Sequence, residues 1–171
     1  ADMKTIKISL KANPRNNALG FVFHKQGTNL LKTKADIEHD VRVLLGGMAN
    51  EELFFGEEGT TNGAHNDITR VTQMLHHAVG EMGMYRRTRL NFGSLDRERS
   101  GKDLDTETRA IMEAQSERLY AETKAVLQKR MPLTEHLAAC LLRSSEMSLG
   151  EVLAEIRHFE GGELSQPAKL A

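Results

Sequence analysis

Only one cysteine is present, so the chain can form no internal disulfide, and four-thiolate zinc or iron–sulfur sites are excluded. Neither sign of charge is in excess: 23 Lys and Arg stand against 24 Asp and Glu, a net charge of −1. A nucleic-acid footprint shows as a basic excess or patch, so no nucleic-acid partner is expected. No apolar run approaches the roughly 18 residues that cross a bilayer. Nor does Ala1-Asp2-Met3-Lys4 read as the start of a signal peptide. What is there is 39% hydrophobic content, enough to build a core and too much for a disordered acidic chain. With 171 residues, the expectation is a single soluble domain from a reducing compartment.

Hydrophobic periodicity sets the organisation. Residues 5–10, Thr-Ile-Lys-Ile-Ser-Leu, alternate with period two, and so do Leu19-Gly20-Phe21-Val22-Phe23. Between them Asn13-Pro14-Arg15-Asn16-Asn17 is turn chemistry, so the first 24 residues read as strand, turn, strand. Thr33 with Asp36 forms a capping-box-like helix start. Ile37, Val41, Leu44, Leu45, Met48 and Leu53 then share one helical face, which runs across Gly46-Gly47. Each glycine costs a helix about 1 kcal/mol against Ala, so close approach of a neighbouring backbone is the expected reason for the pair.

Gly56 to Gly63 reads as a loop. A second helix follows from about Asn66, with Ile68, Val71, Leu75, Val79 and Met82 inward, ending near Gly83. Residues 84–103 carry no stable period and read as a surface loop. Asp103 or Asp105 caps a third helix with Ile111, Leu119 and Val126 on its buried side, and Pro132 separates it from a fourth. Ser148-Leu-Gly-Glu151 is another capping box, opening a helix over Val152, Leu153 and Ile156. The fold class that follows is mainly α (α+β): a helical bundle with a small N-terminal β-sheet over residues 1–159, and a frayed tail over 160–171.

Seven histidines invite a search for metal sites, but no helix carries two His at i and i+4 with Glu after the first. His76 and His77 are adjacent, so on a regular helix they point to different faces and do not chelate one ion together. His136 and His158 fall in amphipathic helices, where a solvated or core-edge role is the ordinary one. Cys140 sits in the apolar run Ala138-Ala139-Cys140-Leu141-Leu142, which favours a buried, inert thiol over a nucleophile. The densest signal is Thr60-Thr61-Asn62-Gly63-Ala64-His65-Asn66-Asp67-Ile68. Asp67 opens a helix, and such a carboxylate either interacts with the helix dipole or is presented to a metal or substrate. Glu51 and Glu52, near the end of the preceding helix, read as solvated.

The segment Leu44-Leu45-Gly46-Gly47-Met48-Ala49-Asn50-Glu51-Glu52-Leu53-Phe54-Phe55-Gly56, followed by Thr60-Thr61, Gly63-Ala64 and Asn66-Asp67-Ile68, resembles the peptidase domain of FtsH-type AAA+ zinc metalloproteases. That family reads LGGRAAEExxFG and then TTGAxNDL, and its following helix ends in Gly-Met, as at Gly83-Met84 here. Ala18-Leu19-Gly20 and Thr33-Lys34 match as well, so the resemblance covers about residues 4–158.

The resemblance implies zinc-dependent proteolysis of unfolded or membrane proteins. A zinc ion would be held in the parent enzyme by two His of an H-E-x-x-H helix and by Asp67. ATP and Mg2+ would be bound by a AAA+ module absent from this chain. Gly20, Phe21, Val22 and Phe23 would receive the substrate as an added strand. It further implies a hexameric homo-oligomer at the cytoplasmic face of a membrane, anchored through absent N-terminal segments. Three features differ from the family. No H-E-x-x-H precedes Ala1-Asp2, so the chain reads as beginning after its own metal ligands; the general-base Glu is expected upstream, and no catalytic residue lies in this chain. Met48 stands where the family has Arg, and Asn62 is one residue more than the family carries. The expectation is a fragment without zinc or proteolytic activity of its own, exposing apolar surface on the Gly46-Gly47 helix and self-associating. The alternative is a non-catalytic helical interaction module in a protease assembly.

Overall fold

The computed structural model describes residues 4–11, 20–25, 31–85 and 106–164. The chain divides into two compact units, Leu30–Lys129 and the pair of segments Ala1–Asn29 and Arg130–Ala171. Among the described residues no helix is long and apolar enough to cross a membrane.

The Leu30–Lys129 unit is three helices. Helix α1 (Lys34–Phe55) starts with the reciprocal capping box the sequence predicts: Thr33 Oγ1 accepts from the Asp36 N–H at 3.2 Å, and Asp36 Oδ2 accepts from the Thr33 N–H at 2.8 Å. The Thr33 backbone N–H and hydroxyl hold the Asp36 carboxyl down at about 2. Helix α1 passes through Gly46-Gly47 unbroken. The close approach expected there is not found, since a Cβ added at either glycine meets nothing within 4 Å. The helix ends at Gly56, whose φ of 74° lies in the left-handed region that favours glycine.

Two short 3₁₀ turns, Glu57–Gly59 and Asn62–Ala64, replace the expected loop and lead into α2 (His65–His76). A π-helical turn over His77–Glu81 follows, closed by Met82 N–H donating to His77 O at 2.8 Å. Helix α3 (Thr106–Lys129) completes the unit.

The core of this unit is Ile37, Val41, Leu44 and Leu45 of α1, Val71 and Leu75 of α2, Ala78 and Val79 of the π turn, and Met112 and Leu119 of α3. Three residues read as inward are not: Ile68, Met82 and Val126 are exposed. Polar ties join α1 to α3, with Arg42 donating to Glu122 at 2.9 Å and Arg118 donating to Glu38 at 2.8 Å. Asp40 is buried, and Lys32 Nζ meets its Oδ2 at 2.6 Å.

The other unit holds a three-stranded antiparallel sheet in the order β2-β1-β3. Strand β1 (Lys4–Ser9) pairs with β2 (Phe21–Lys25) through a bulge between Thr5 and Lys7. Strand β3 (Glu146–Ser148) comes from the far end of the chain, so the sheet is not wholly N-terminal. Helix α4 (Met131–Ser144) has Pro132 in its first turn, where a missing N–H costs nothing, and ends at Ser145 with φ 61°. Ser148 and Glu151 form the second capping box, opening α5 (Leu149–Leu164), which continues past Gly161. Leu153, expected inward, is exposed. The turn at residues 13–17, most of the loop expected over 84–103 and residues 165–171 lie outside the described residues.

Candidate functional site

The junction between α1 and α2 is fixed by one carboxylate. Glu51, in the last turn of α1, accepts from the Thr61 N–H at 2.9 Å through Oε2 and from the Thr61 hydroxyl at 3.0 Å through Oε1. Thr61 Oγ1 in turn accepts from the Gly63 N–H at 3.1 Å. A Cβ on Gly63 would sit 3.1 Å from Thr61 Oγ1 and 3.8 Å from Glu51 Oε1, so a side chain there would crowd the clamp. Glu52 turns the other way, onto α3, where its carboxylate accepts from Tyr120 and Lys124. Lys124 and then Tyr120 hold the Glu52 carboxyl below its ordinary value. Burial, then Glu52, pushes the Tyr120 hydroxyl up to about 12. Glu51 therefore anchors the turn and Glu52 ties α1 to α3, where the sequence suggests solvated groups.

The clamp delivers Asp67 as the third residue of α2. No side chain caps this helix, so a first-turn carboxylate is favourable beside the free N–H groups. Asp67 is 45% exposed, and its ion pair with Arg70 is long, at 3.8 Å. Among the described residues, two groups of three His, Cys, Asp or Glu lie close enough together to hold an ion, and Asp67 belongs to neither.

Strand β2 is at the edge of its sheet. Its side chains Phe21, Val22 and Phe23 are all exposed, on both faces of the strand. Gly20 lies where a Cβ would meet Ser9 O at 2.9 Å, so packing against β1 accounts for this glycine. Asp67 and β2 belong to different units.

The profile of Peptidase family M41 matches residues 2–154. The chain belongs to Peptidase family M41. The match spans both the Asp67 junction and strand β2. Similar proteins include the ATP-dependent zinc metalloprotease FtsH of Aquifex aeolicus, 40% identical over 84 residues, covering 48% of this chain and 13% of that protein. The ATP-dependent zinc metalloprotease YME1 homolog of Caenorhabditis elegans is 28% identical over 167 residues, covering 92% of this chain and 23% of that protein. The mitochondrial inner membrane m-AAA protease component yta12 of Schizosaccharomyces pombe is 28% identical over 144 residues, or 81% of this chain and 19% of that protein. This chain therefore spans less than a quarter of the length of these relatives.

Two further side-chain groups in this M41 chain were not legible from sequence. His76 and His77 do share a partner: Glu81 Oε1 is 3.5 Å from His76 Nδ1, and Oε2 is 2.8 Å from His77 Nδ1. Adjacent side chains point to different faces only on a regular α-helix. The π turn widens the helix so that positions i+4 and i+5 both lie over residue i, bringing both rings to one carboxylate. These rings lie nine and ten residues beyond Asp67, roughly 14 Å along the axis at about 1.5 Å per residue, so they do not share an ion with it. The second group, in the other unit, is His136, Cys140 and Glu155. Cys140 is buried as the sequence suggested, but it is not among hydrocarbon alone: Arg143 Nη2 donates to its Sγ at 3.2 Å.

Proposed function

We propose that this chain is the part of an M41 metallopeptidase domain that carries the carboxylate metal ligand, Asp67, and the strand that receives substrate. The observation that carries this is the Glu51–Thr61–Gly63 clamp, which fixes a lightly partnered carboxylate at the mouth of α2 within the family's matched segment. Zinc in such enzymes activates water and polarises a peptide carbonyl, and it takes three protein ligands. The 171 residues contain no H-E-x-x-H, and Asp67 has no pair of companion ligands among the described residues. One carboxylate does not hold zinc, so we assign no hydrolytic step to this chain by itself.

Phe21, Val22 and Phe23 offer a strand edge that is unpaired among the described residues and bears apolar side chains, to which an extended polypeptide adds through main-chain hydrogen bonds that ignore sequence. Gly20 at the start of that strand keeps the backbone close to β1 and helps to set the edge. The same reading places the parent among ATP-driven, membrane-associated hexameric proteases, with ATP and Mg2+ handled by a module outside these residues. Unfolded casein is the test. The chain is expected to bind it without cutting it, and Phe23→Asp, at a 57% exposed position, is expected to weaken that binding. Cleavage by the chain alone would overturn the reading, as would binding indifferent to the substitution.

A further inference from the structure

Helices α4 and α5 bring together three ligand atoms of three kinds. His136 and Cys140 are one helical turn apart on α4 and so lie on one face. Glu155 reaches them from α5. The Nε2 atom of His136 lies 2.9 Å from Glu155 Oε2 and 3.7 Å from Cys140 Sγ. All three ligand atoms fall within 4.8 Å of one another. A nucleophilic triad would use the two ring nitrogens separately, one toward the thiol and the other toward the acid. Here a single nitrogen faces both, so the atoms converge on a shared point.

That convergence has the dimensions of a tetrahedral ion site. Zinc bonds of about 2.0 Å to nitrogen and oxygen and about 2.3 Å to sulfur give tetrahedral edges of about 3.3 Å for N–O and about 3.5 Å for N–S. The observed edges, 2.9 and 3.7 Å, differ from these by a few tenths of an ångström. The surroundings also fit. The Phe159 ring lies against His136, with centroids 5.3 Å apart, and restrains the imidazole. Arg143 donates to the sulfur at 3.2 Å and holds it on the face it shares with His136. Thiolate and carboxylate together neutralise a divalent ion, and a mixed S, N, O set selects zinc over the harder Mg2+ and Ca2+.

We propose that His136, Cys140 and Glu155 form a zinc site that clasps α4 to α5, separate from any site built on Asp67. Three protein ligands leave the fourth position to water. Among the described residues, the unit that holds it buries few large apolar side chains, and a metal clasp supplies cohesion there.

The test uses Co2+ in place of zinc on the full chain. Cys140 is the only cysteine, so a sulfur-to-cobalt charge-transfer band in the near ultraviolet reports on this site alone. The proposal expects that band at one equivalent, displaced by Zn2+, with zinc also protecting Cys140 from iodoacetamide. His136→Asn and Glu155→Gln are each expected to weaken zinc binding at least ~10-fold, and Asp67→Ala to leave it unchanged. Circular dichroism on each variant establishes that it is folded. Absence of the band in the wild-type chain overturns the proposal. So does a band unaltered in both His136→Asn and Glu155→Gln, which would mean a thiolate bridging two chains. Loss of binding in Asp67→Ala would move the ion to the family position and overturn the proposal as well.

Discussion

The two units reach stability by different routes. Leu30–Lys129 buries a continuous apolar core of ten residues from α1, α2, the π turn and α3. In the other unit, the hydrophobic side chains that are buried among the described residues are Cys140 and Met147. Its cohesion lies in the sheet ladder and in polar contacts. Glu146 on β3 accepts from Ser9 at 2.9 Å and meets Lys7 at 2.9 Å and Lys11 at 3.1 Å, all from β1 and its extension. The difference shows that an interaction's weight depends on what surrounds it. Polar contacts are secondary where hydrocarbon is already excluded from water, and they decide the structure where it is not.

Mutations can break this contrast, beginning with the apolar core. Leu119→Ala, at a position with no exposure, should cost about 2–5 kcal/mol by chemical denaturation, because it leaves a cavity among fixed neighbours. Leu142→Ala in the other unit, at a position 73% exposed, should change stability by less than about 0.5 kcal/mol. Equal losses would mean the two units do not differ as described. Next comes Lys32→Met. It leaves the buried Asp40 without the lysine at 2.6 Å, while Asp40 Oδ1 already has no hydrogen-bond partner among the described residues, so a loss of about 1–3 kcal/mol is expected in the same assay.

A smaller effect of opposite sign sharpens the reading of α1. Gly47→Ala should raise the thermal midpoint and stabilise by up to about 1 kcal/mol, since a Cβ there meets nothing within 4 Å. Destabilisation would mean that another surface lies close to this face.

The smallest effect is electrostatic. Lys7, Lys11 and Ser9 hold the Glu146 carboxyl at about 2, below its ordinary 4.5. A depressed carboxyl is protonated more readily in the unfolded chain, so its stabilisation is complete above about 4.5 and is lost as pH falls toward about 2. Glu146→Gln should flatten the fall in stability over that window and leave the slope near neutrality unchanged. An unaltered acid limb would remove Glu146 from the account of how β3 is held.

Local features were legible from sequence because their partners lie three or four residues away. The Thr33–Asp36 and Ser148–Glu151 boxes, the break at Pro132 and the start of α2 near Asp67 all formed as the spacing predicts. The family was legible too, because its two motifs are contiguous strings around α1 and α2. Strand β3 was not, since three residues near position 147 have no period of their own and become a strand only by pairing with Ile8. The role of Glu51 was hidden similarly: a glutamate at a helix end looks solvated until the Thr61 amide folds back onto it.

Sequence alone determined the main helical segments, the capping boxes that open α1 and α5, and the family to which the chain belongs. Those are consequences of short-range hydrogen bonding and of apolar spacing along one chain. Tertiary structure alone decided which ionisable groups meet. A π turn brings His76 and His77 onto Glu81, and the packing of α4 on α5 carries Glu155 across nineteen residues of chain to His136 and Cys140. The reason is that ligand distances are set to tenths of an ångström by helix geometry and packing, which a linear pattern of residue types does not contain.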